Sequence, residues 1–171
     1  KVQWDIRTIS AGLLIENIEY AFKAWSLPCS QAYTFDEFCR YILPYRTDEE
    51  PIESWRPFYW KKLQEVIDSM KDQSDPMEAA HLINQHLLSF WSDYLNKLKG
   101  GNLKPTTLMK WRMQGNCYDR IIMGCSAMRA MGVASSKMII PQHGNRSSGH
   151  AFNVLLDHQK DEWVELEIGK P

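Results

Sequence analysis

Apolar residues in the first hundred positions recur in helical steps. Leu13, Leu14, Ile18, Ala21, Phe22 and Trp25 form one stripe, with Glu16, Asn17, Glu19 and Lys23 between them. This spacing predicts an amphipathic helix that stops before Pro28, because the proline ring disfavours helical backbone in the residue ahead of it. Thr34 followed by Glu37 reads as a capping box at the start of a second helix, which carries Phe38, Tyr41 and Ile42 and stops near Pro44. Two further helical patterns run from Phe58 to Met70 and from Pro76 to Leu98, the latter opened by Asp75-Pro76 as cap and first helical residue.

After Gly100-Gly101-Asn102, a hinge or helix-ending turn, the period changes. Asn116 is a plausible N-cap for a helix over Cys117 to Met131. Ile121, Cys125 and Met128 lie along one stripe of it, with Ile122 and Arg129 beside them, and Gly132 is placed to end it. Three strand-like runs follow. They are Val133 to Ile140, His150 to Asp157, and Glu162 to Ile168, where Val164, Leu166 and Ile168 alternate with Trp163, Glu165 and Glu167. His158 to Asp161 is a polar hairpin turn. The expected fold class is therefore α+β: a helical annex over residues 1–100, then one helix followed by an antiparallel meander over residues 101–171.

Composition narrows the function classes. The 171 residues are 44% hydrophobic and 24% charged, ordinary values for a globular chain able to fold without staples. The formal net charge is −1, which argues against nucleic acid as a partner, since neutralising phosphates needs a basic face. The balance is uneven, however. Residues 1–100 carry 11 basic and 15 acidic side chains, and residues 101–171 carry 9 and 6. No apolar run approaches the ~20 residues of a membrane span. The chain opens at Lys1 and ends at Pro171 just after a strand-like segment, so it is expected to be a processed or excised piece truncated at its C-terminal end.

Cys29, Cys39, Cys117 and Cys125 form no CxxC pair, so neither a disulfide scaffold nor a zinc ribbon is expected. Cys117 and Cys125 stand about 12 Å apart along one helix, too far to bridge. His81 and His86 are five residues apart, off-face for a metal pair, and no glycine-rich phosphate loop occurs, so no metal or cofactor is expected.

Three residues carry candidate chemistry. Cys117 stands at a helix start, where backbone N–H groups and the positive end of the helix dipole favour a thiolate and can hold an oxyanion. His150 opens a strand after Ser147-Ser148-Gly149, a position from which an imidazole can be aimed. Glu165 and Glu167 lie on the Trp163 side of the last strand, where a carboxylate can accept the Nδ1–H of His150 and fix its tautomer. Taken singly, each has a bland reading: a buried thiol, a strand histidine, solvated carboxylates. Taken together, they follow the nucleophile–histidine–acid order of papain-like cores. Gln114 and Trp111, shortly before Cys117, offer side-chain N–H donors for an oxyanion. His143, beside Gly144-Asn145-Arg146, is a candidate cleft residue.

Residues 115–171 resemble a transglutaminase-like core. Gly115-Asn116-Cys117 leads into a helix ending Met128-Arg129-Ala130-Met131-Gly132-Val133, similar to the family's nucleophile helix. Gly149-His150-Ala151-Phe152-Asn153-Val154 is similar to its histidine strand, and Trp163-Val164-Glu165-Leu166-Glu167 to its acid strand. Phe152 replaces the usual Trp, Ser135 stands at the helix-to-strand turn, and Glu167 takes the place of a shorter Asp. The stretch from Phe38 to Arg46, with Trp55 and Arg56, resembles the annex preceding such cores in bacterial members.

The resemblance implies a papain-like fold with the catalytic helix packed on an antiparallel sheet. It implies acyl transfer from amide bonds by Cys117, His150 and Glu167, with hydrolysis favoured over cross-linking. It also implies no obligatory metal, a peptide, protein or glycopeptide substrate, and an extracytoplasmic setting. The alternative is a module without catalysis that binds peptide or glycan, with Arg46, Trp55 and Arg56 forming the cleft.

Overall fold

The computed structural model describes residues 4–89, 103–110, 116–142, 144–145 and 147–168. The helices are α1 (Asp5–Thr8), α2 (Ala11–Trp25), α3 (Phe35–Glu37), α4 (Arg56–Asp68), α5 (Pro76–Ser89), α6 (Pro105–Lys110) and α7 (Cys117–Ala130). A 3-10 turn over Pro28–Ala32 follows α2, and a π-helical turn over Phe38–Ile42 continues α3. The strands β1 (Ser135–Ile140), β2 (His150–Asp157) and β3 (Glu162–Leu166) form an antiparallel sheet in the order β1-β2-β3. The mixed α+β class and the meander are as the periodicity implied. Any continuation of the α5 pattern past Ser89, and the Gly100-Gly101-Asn102 hinge, lie outside the described residues.

Helix α7 is the centre of the molecule. Every residue from Ile121 to Met131 is buried, because helices cover one side of it and the sheet the other. One hydrophobic cluster joins Ala24, Tyr59 and Leu63 of the helical segment to Met128, Leu155 and Ile168 of the segment that follows. The two segments thus share a core. A second cluster, with Phe38, Ile42 and Leu156, covers the opposite face of the sheet.

The apolar stripe of α2 is displaced from its expected position. Ile18 and Phe22 are 45% exposed, and the core-facing positions are Asn17, Ala21 and Ala24. Small residues let α2 approach α7 closely, and Asn17 is drawn inward to serve a buried cation. Its amide donates to Leu43 O at 2.9 Å and its Oδ1 accepts from Arg56 Nε at 2.6 Å.

Two close approaches fix α7. Val133 N–H donates to Met128 O at 2.9 Å and Gly132 N–H to Arg129 O at 3.3 Å, a Schellman end with Gly132 at φ +73°. A Cβ on Gly132 would stand 1.7 Å from Ser30 Oγ and 2.5 Å from Ala24 O, the latter a backbone atom. Gly132→Ala is therefore expected to cost about 2–4 kcal/mol, combining backbone strain and overpacking, read as a lowered urea midpoint. Unchanged stability would show that α2 and the α7 terminus yield freely. At Gly124 a Cβ would lie 2.4 Å from Ile168 Cγ1 and 2.7 Å from Asn153 Oδ1, so the bare backbone lets α7 settle onto β2.

Candidate active site

The first turn of α7 is set locally. Asn116 Oδ1 accepts from Asp119 N at 3.0 Å, and Asp119 Oδ2 accepts from Asn116 N at 3.0 Å, a reciprocal box that makes Cys117 the first helical residue. Burial pushes the Asp119 carboxyl above its ordinary range, opposed by the hydrogen bond from Asn116. Cys117 is half-buried and packs against Ile121, Cys125 and Ala151. Ala151 is the neighbour of His150 in β2.

His150 is the first residue of β2, opposite Ile140 of β1, and Glu167 lies one residue past β3. Their side chains meet, with His150 Nε2 at 2.7 Å from Glu167 Oε1. The expected partner nitrogen was Nδ1, and the structure corrects this. Glu165 points to solvent, while Trp163 packs edge-on against Tyr41 at 4.9 Å.

Cys117, His150 and Glu167 line one cleft of about 300 Å³, between the start of α7 and the ends of β2 and β3. Ile121, Ala151, Phe152 and Ile168 supply apolar wall, and Arg120 and Asn153 the remaining polar groups. The Phe152 ring lies 6.0 Å from that of His150. Sequence reasoning gave no role to Arg120 or Asn153. Asn153 is 1% exposed and ties β2 to α7 through Ile121 O and Cys125 Sγ, both at 3.1 Å. Its place on the α7-facing side of β2, two residues from Ala151, was the available signal.

The remaining candidates stand elsewhere. Trp111, Gln114 and His143 lie outside the described residues. Arg46, Trp55 and Arg56 do not line the Cys117 cleft, and Trp55 and Arg56 are buried, a correction to the substrate-binding role expected of those two. Arg46 pairs with Asp5, which holds that carboxyl below its usual range, and donates to Glu50 O at 2.8 Å. Trp55 is buried and donates its indole N–H to Tyr45 O at 2.8 Å. Arg56 lies inside the core, bonded to Asn17 and to the carbonyls of Ile42, Pro44 and Arg129. The carbonyls at the end of the π-helical turn need donors, and a guanidinium fork supplies several at once.

A second cavity of about 430 Å³ lies between Asp48–Glu50, β1 and the first turn of α7. The four cysteines are free thiols. Among the described residues, no group of three or more His, Cys, Asp or Glu is arranged to hold a metal ion, and no helix is long and apolar enough to cross a membrane. Comparison with family models, with curated proteins and with solved structures finds no match to this chain.

Proposed function

We propose that the chain is a cysteine-nucleophile enzyme of transglutaminase-like type acting on amide bonds, with hydrolysis as its main outcome. The observation that carries this reading is the shared cleft. A cysteine at the start of a buried helix faces the same space as a histidine held at 2.7 Å by a carboxylate. Glu167 engages Nε2, so Nδ1 is the ring nitrogen that exchanges a proton with the sulfur.

In the first step, Cys117 gives its proton to His150 and its sulfur forms a bond to the amide carbonyl carbon. The carbonyl oxygen takes up negative charge. Asp119 N–H is held by Asn116 Oδ1, and Arg120 N–H by Asn116 O at 3.2 Å, so the N–H groups of Cys117 and Tyr118 are placed to meet this oxyanion. The C–N bond then breaks as His150 passes the proton to the leaving amine, giving a thioester and a free amine. Water adds to the thioester with its proton going to His150. The C–S bond breaks, and the carboxylic acid leaves with the thiol restored. An amine in place of water would give a new amide by the same steps. The buried positions of Trp55 and Arg56 do not favour the alternative of a peptide- or glycan-binding annex.

The test is mass spectrometry on chain quenched during incubation with a pool of peptide amides. An acyl adduct on the Cys117 peptide supports the reading. Amine release without any adduct on that peptide overturns it, as does the absence of both. Glu167→Gln is expected to lower kcat/KM by about a hundredfold or more, because the amide no longer stabilises an imidazolium. Glu167→Asp should retain more activity than Glu167→Gln, since it keeps the charge. The reverse order would remove the electrostatic role assigned to Glu167.

A further inference from the structure

We propose that Asn153 is a positioning residue that sets the reach between Cys117 and His150; the proposal rests on the proton exchange between those two side chains. The cysteine belongs to α7 and the histidine to β2, so their spacing depends on how helix and strand are locked together. The apolar contacts among Ile121, Cys125 and Ala151 draw the two elements together but favour no direction of approach. Asn153 supplies the direction. Buried within the same contact, its side-chain N–H groups are given to two acceptors on one turn of α7, Ile121 O and Cys125 Sγ.

Both ends of this clamp lie near the chemistry. Ile121 is one helical turn, about 6 Å, beyond Cys117, and Asn153 is three strand residues, about 10 Å, beyond His150. The helix side is bare backbone: a Cβ on Gly124 would stand 2.9 Å from Asn153 Cγ, so the amide lies directly against α7. Neither acceptor needs the amide for its own pairing. Ile121 O is also the acceptor of the helical bond from Cys125 N, and Cys125 Sγ lies 3.5 Å from Ser135 Oγ. Removing the amide therefore orphans neither acceptor, and what is lost is alignment. A misplacement of about 1 Å between reacting groups costs on the order of a hundredfold in rate.

The experiment is a double-mutant cycle on alkylation of Cys117 by iodoacetamide, read by mass spectrometry of the Cys117 peptide from about pH 5 to 9, the span over which an imidazole and a thiol titrate. His150→Ala is expected to slow alkylation on the acid side, where a thiol without a proton acceptor stays protonated. Asn153→Leu keeps the branch at Cγ but donates nothing. It is expected to slow alkylation about tenfold at the same pH, and to change it by less than about twofold once His150→Ala is present. An equal factor in both backgrounds reports a general loosening of the fold and overturns the proposal. So does a leucine variant that reacts like the unchanged chain.

With a peptide amide, Asn153→Leu is expected to lower kcat by about thirtyfold or more while KM stays within about twofold. A loss confined to KM makes Asn153 a substrate contact and overturns the positioning role. Should the leucine variant fail to fold, Asn153→Ser, which empties space rather than filling it, goes through the same two backgrounds with the same criteria. Failure of both to fold makes Asn153 a residue of the fold alone and overturns the proposal. If His150→Ala leaves alkylation unchanged at every pH, the Cys117–His150 reading fails and the role of Asn153 falls with it. A slowed His150→Ala beside an unaffected Asn153→Leu removes the positioning role only, so the two fail separately.

Discussion

Cys117→Ala is expected to lower amide turnover by about a thousandfold or more, with the residue set by binding and oxyanion contacts that remain. The size follows from the chemistry: without the sulfur there is no thioester, and water must attack the amide directly. The fold should tolerate the change. Cys117 is only half-buried and its sulfur packs against Ile121, Cys125 and Ala151, so alanine removes one atom at the cleft wall and costs about 1 kcal/mol. The Asn116–Asp119 box that starts α7 does not involve the Cys117 side chain. Cys39→Ala serves as the control, since Cys39 is partly exposed but lies on the π-helical turn away from the cleft. Progress curves at matched protein concentration, with thermal midpoints recorded in parallel, make the comparison. Undiminished turnover in Cys117→Ala, or equal losses in both variants, would sink the assignment of the nucleophile.

The second large effect is on stability. Arg56 is 2% exposed, and its guanidinium bonds to Asn17 Oδ1 at 2.6 Å, Arg129 O at 3.1 Å, Pro44 O at 3.2 Å and Ile42 O. These groups come from α2, the π-helical turn, the loop after it, and α7, so one side chain joins four parts of the chain. Burial, with the nearby Arg129 charge adding to it, holds the Arg56 pKa well below its ordinary value, which records how costly the charged form is inside. The cost is offset by acceptors that would otherwise be orphaned. Arg56→Met keeps an apolar stem but leaves those oxygens without a donor, and is expected to lose about 3–5 kcal/mol. For a chain of this length that is a drop of roughly 10 °C or more in Tm. Arg56→Lys should recover little, because a single ammonium cannot reach acceptors spread around a planar fork. Scanning calorimetry on the two variants decides it. A methionine variant as stable as the parent would mean that the cation confers no net stability.

Arg129, on α7 itself, repeats the device. It is buried, and it donates to Tyr41 O at 3.0 Å, Arg46 O at 2.8 Å and Ser135 O at 3.2 Å. The end of the π-helical turn and the loop beyond it are thus held by two arginines, which explains why Trp55 and Arg56 face inward. A reading of Arg46, Trp55 and Arg56 as a surface cleft takes charge and aromaticity as marks of exposure. Here Arg46 and Trp55 satisfy backbone carbonyls of the loop before α4, and Arg56 satisfies carbonyls at the ends of the π-helical turn and of α7.

The sequence by itself determined what is local. The Asn116–Asp119 box, the glycine end at Gly132 and the polar hairpin rest on contacts between residues close in the chain, the three strands on their own run of apolar residues, and each is legible as a short pattern. Cys117 and His150 were legible as positions at element ends; the residues alone left Glu165 and Glu167 both open, the transglutaminase-like resemblance pointed to Glu167, and His150 contacts Glu167.

Tertiary structure decided what depends on which surfaces meet. It chose Asn17 over Ile18 and Phe22 for the core, put two arginines inside, engaged Nε2 rather than Nδ1 of His150, and brought Arg120 and Asn153 to the cleft. Periodicity reports which side of an element is apolar on average. It carries no information about the carbonyls another element leaves unpaired, and those unmet hydrogen bonds drew polar side chains inward.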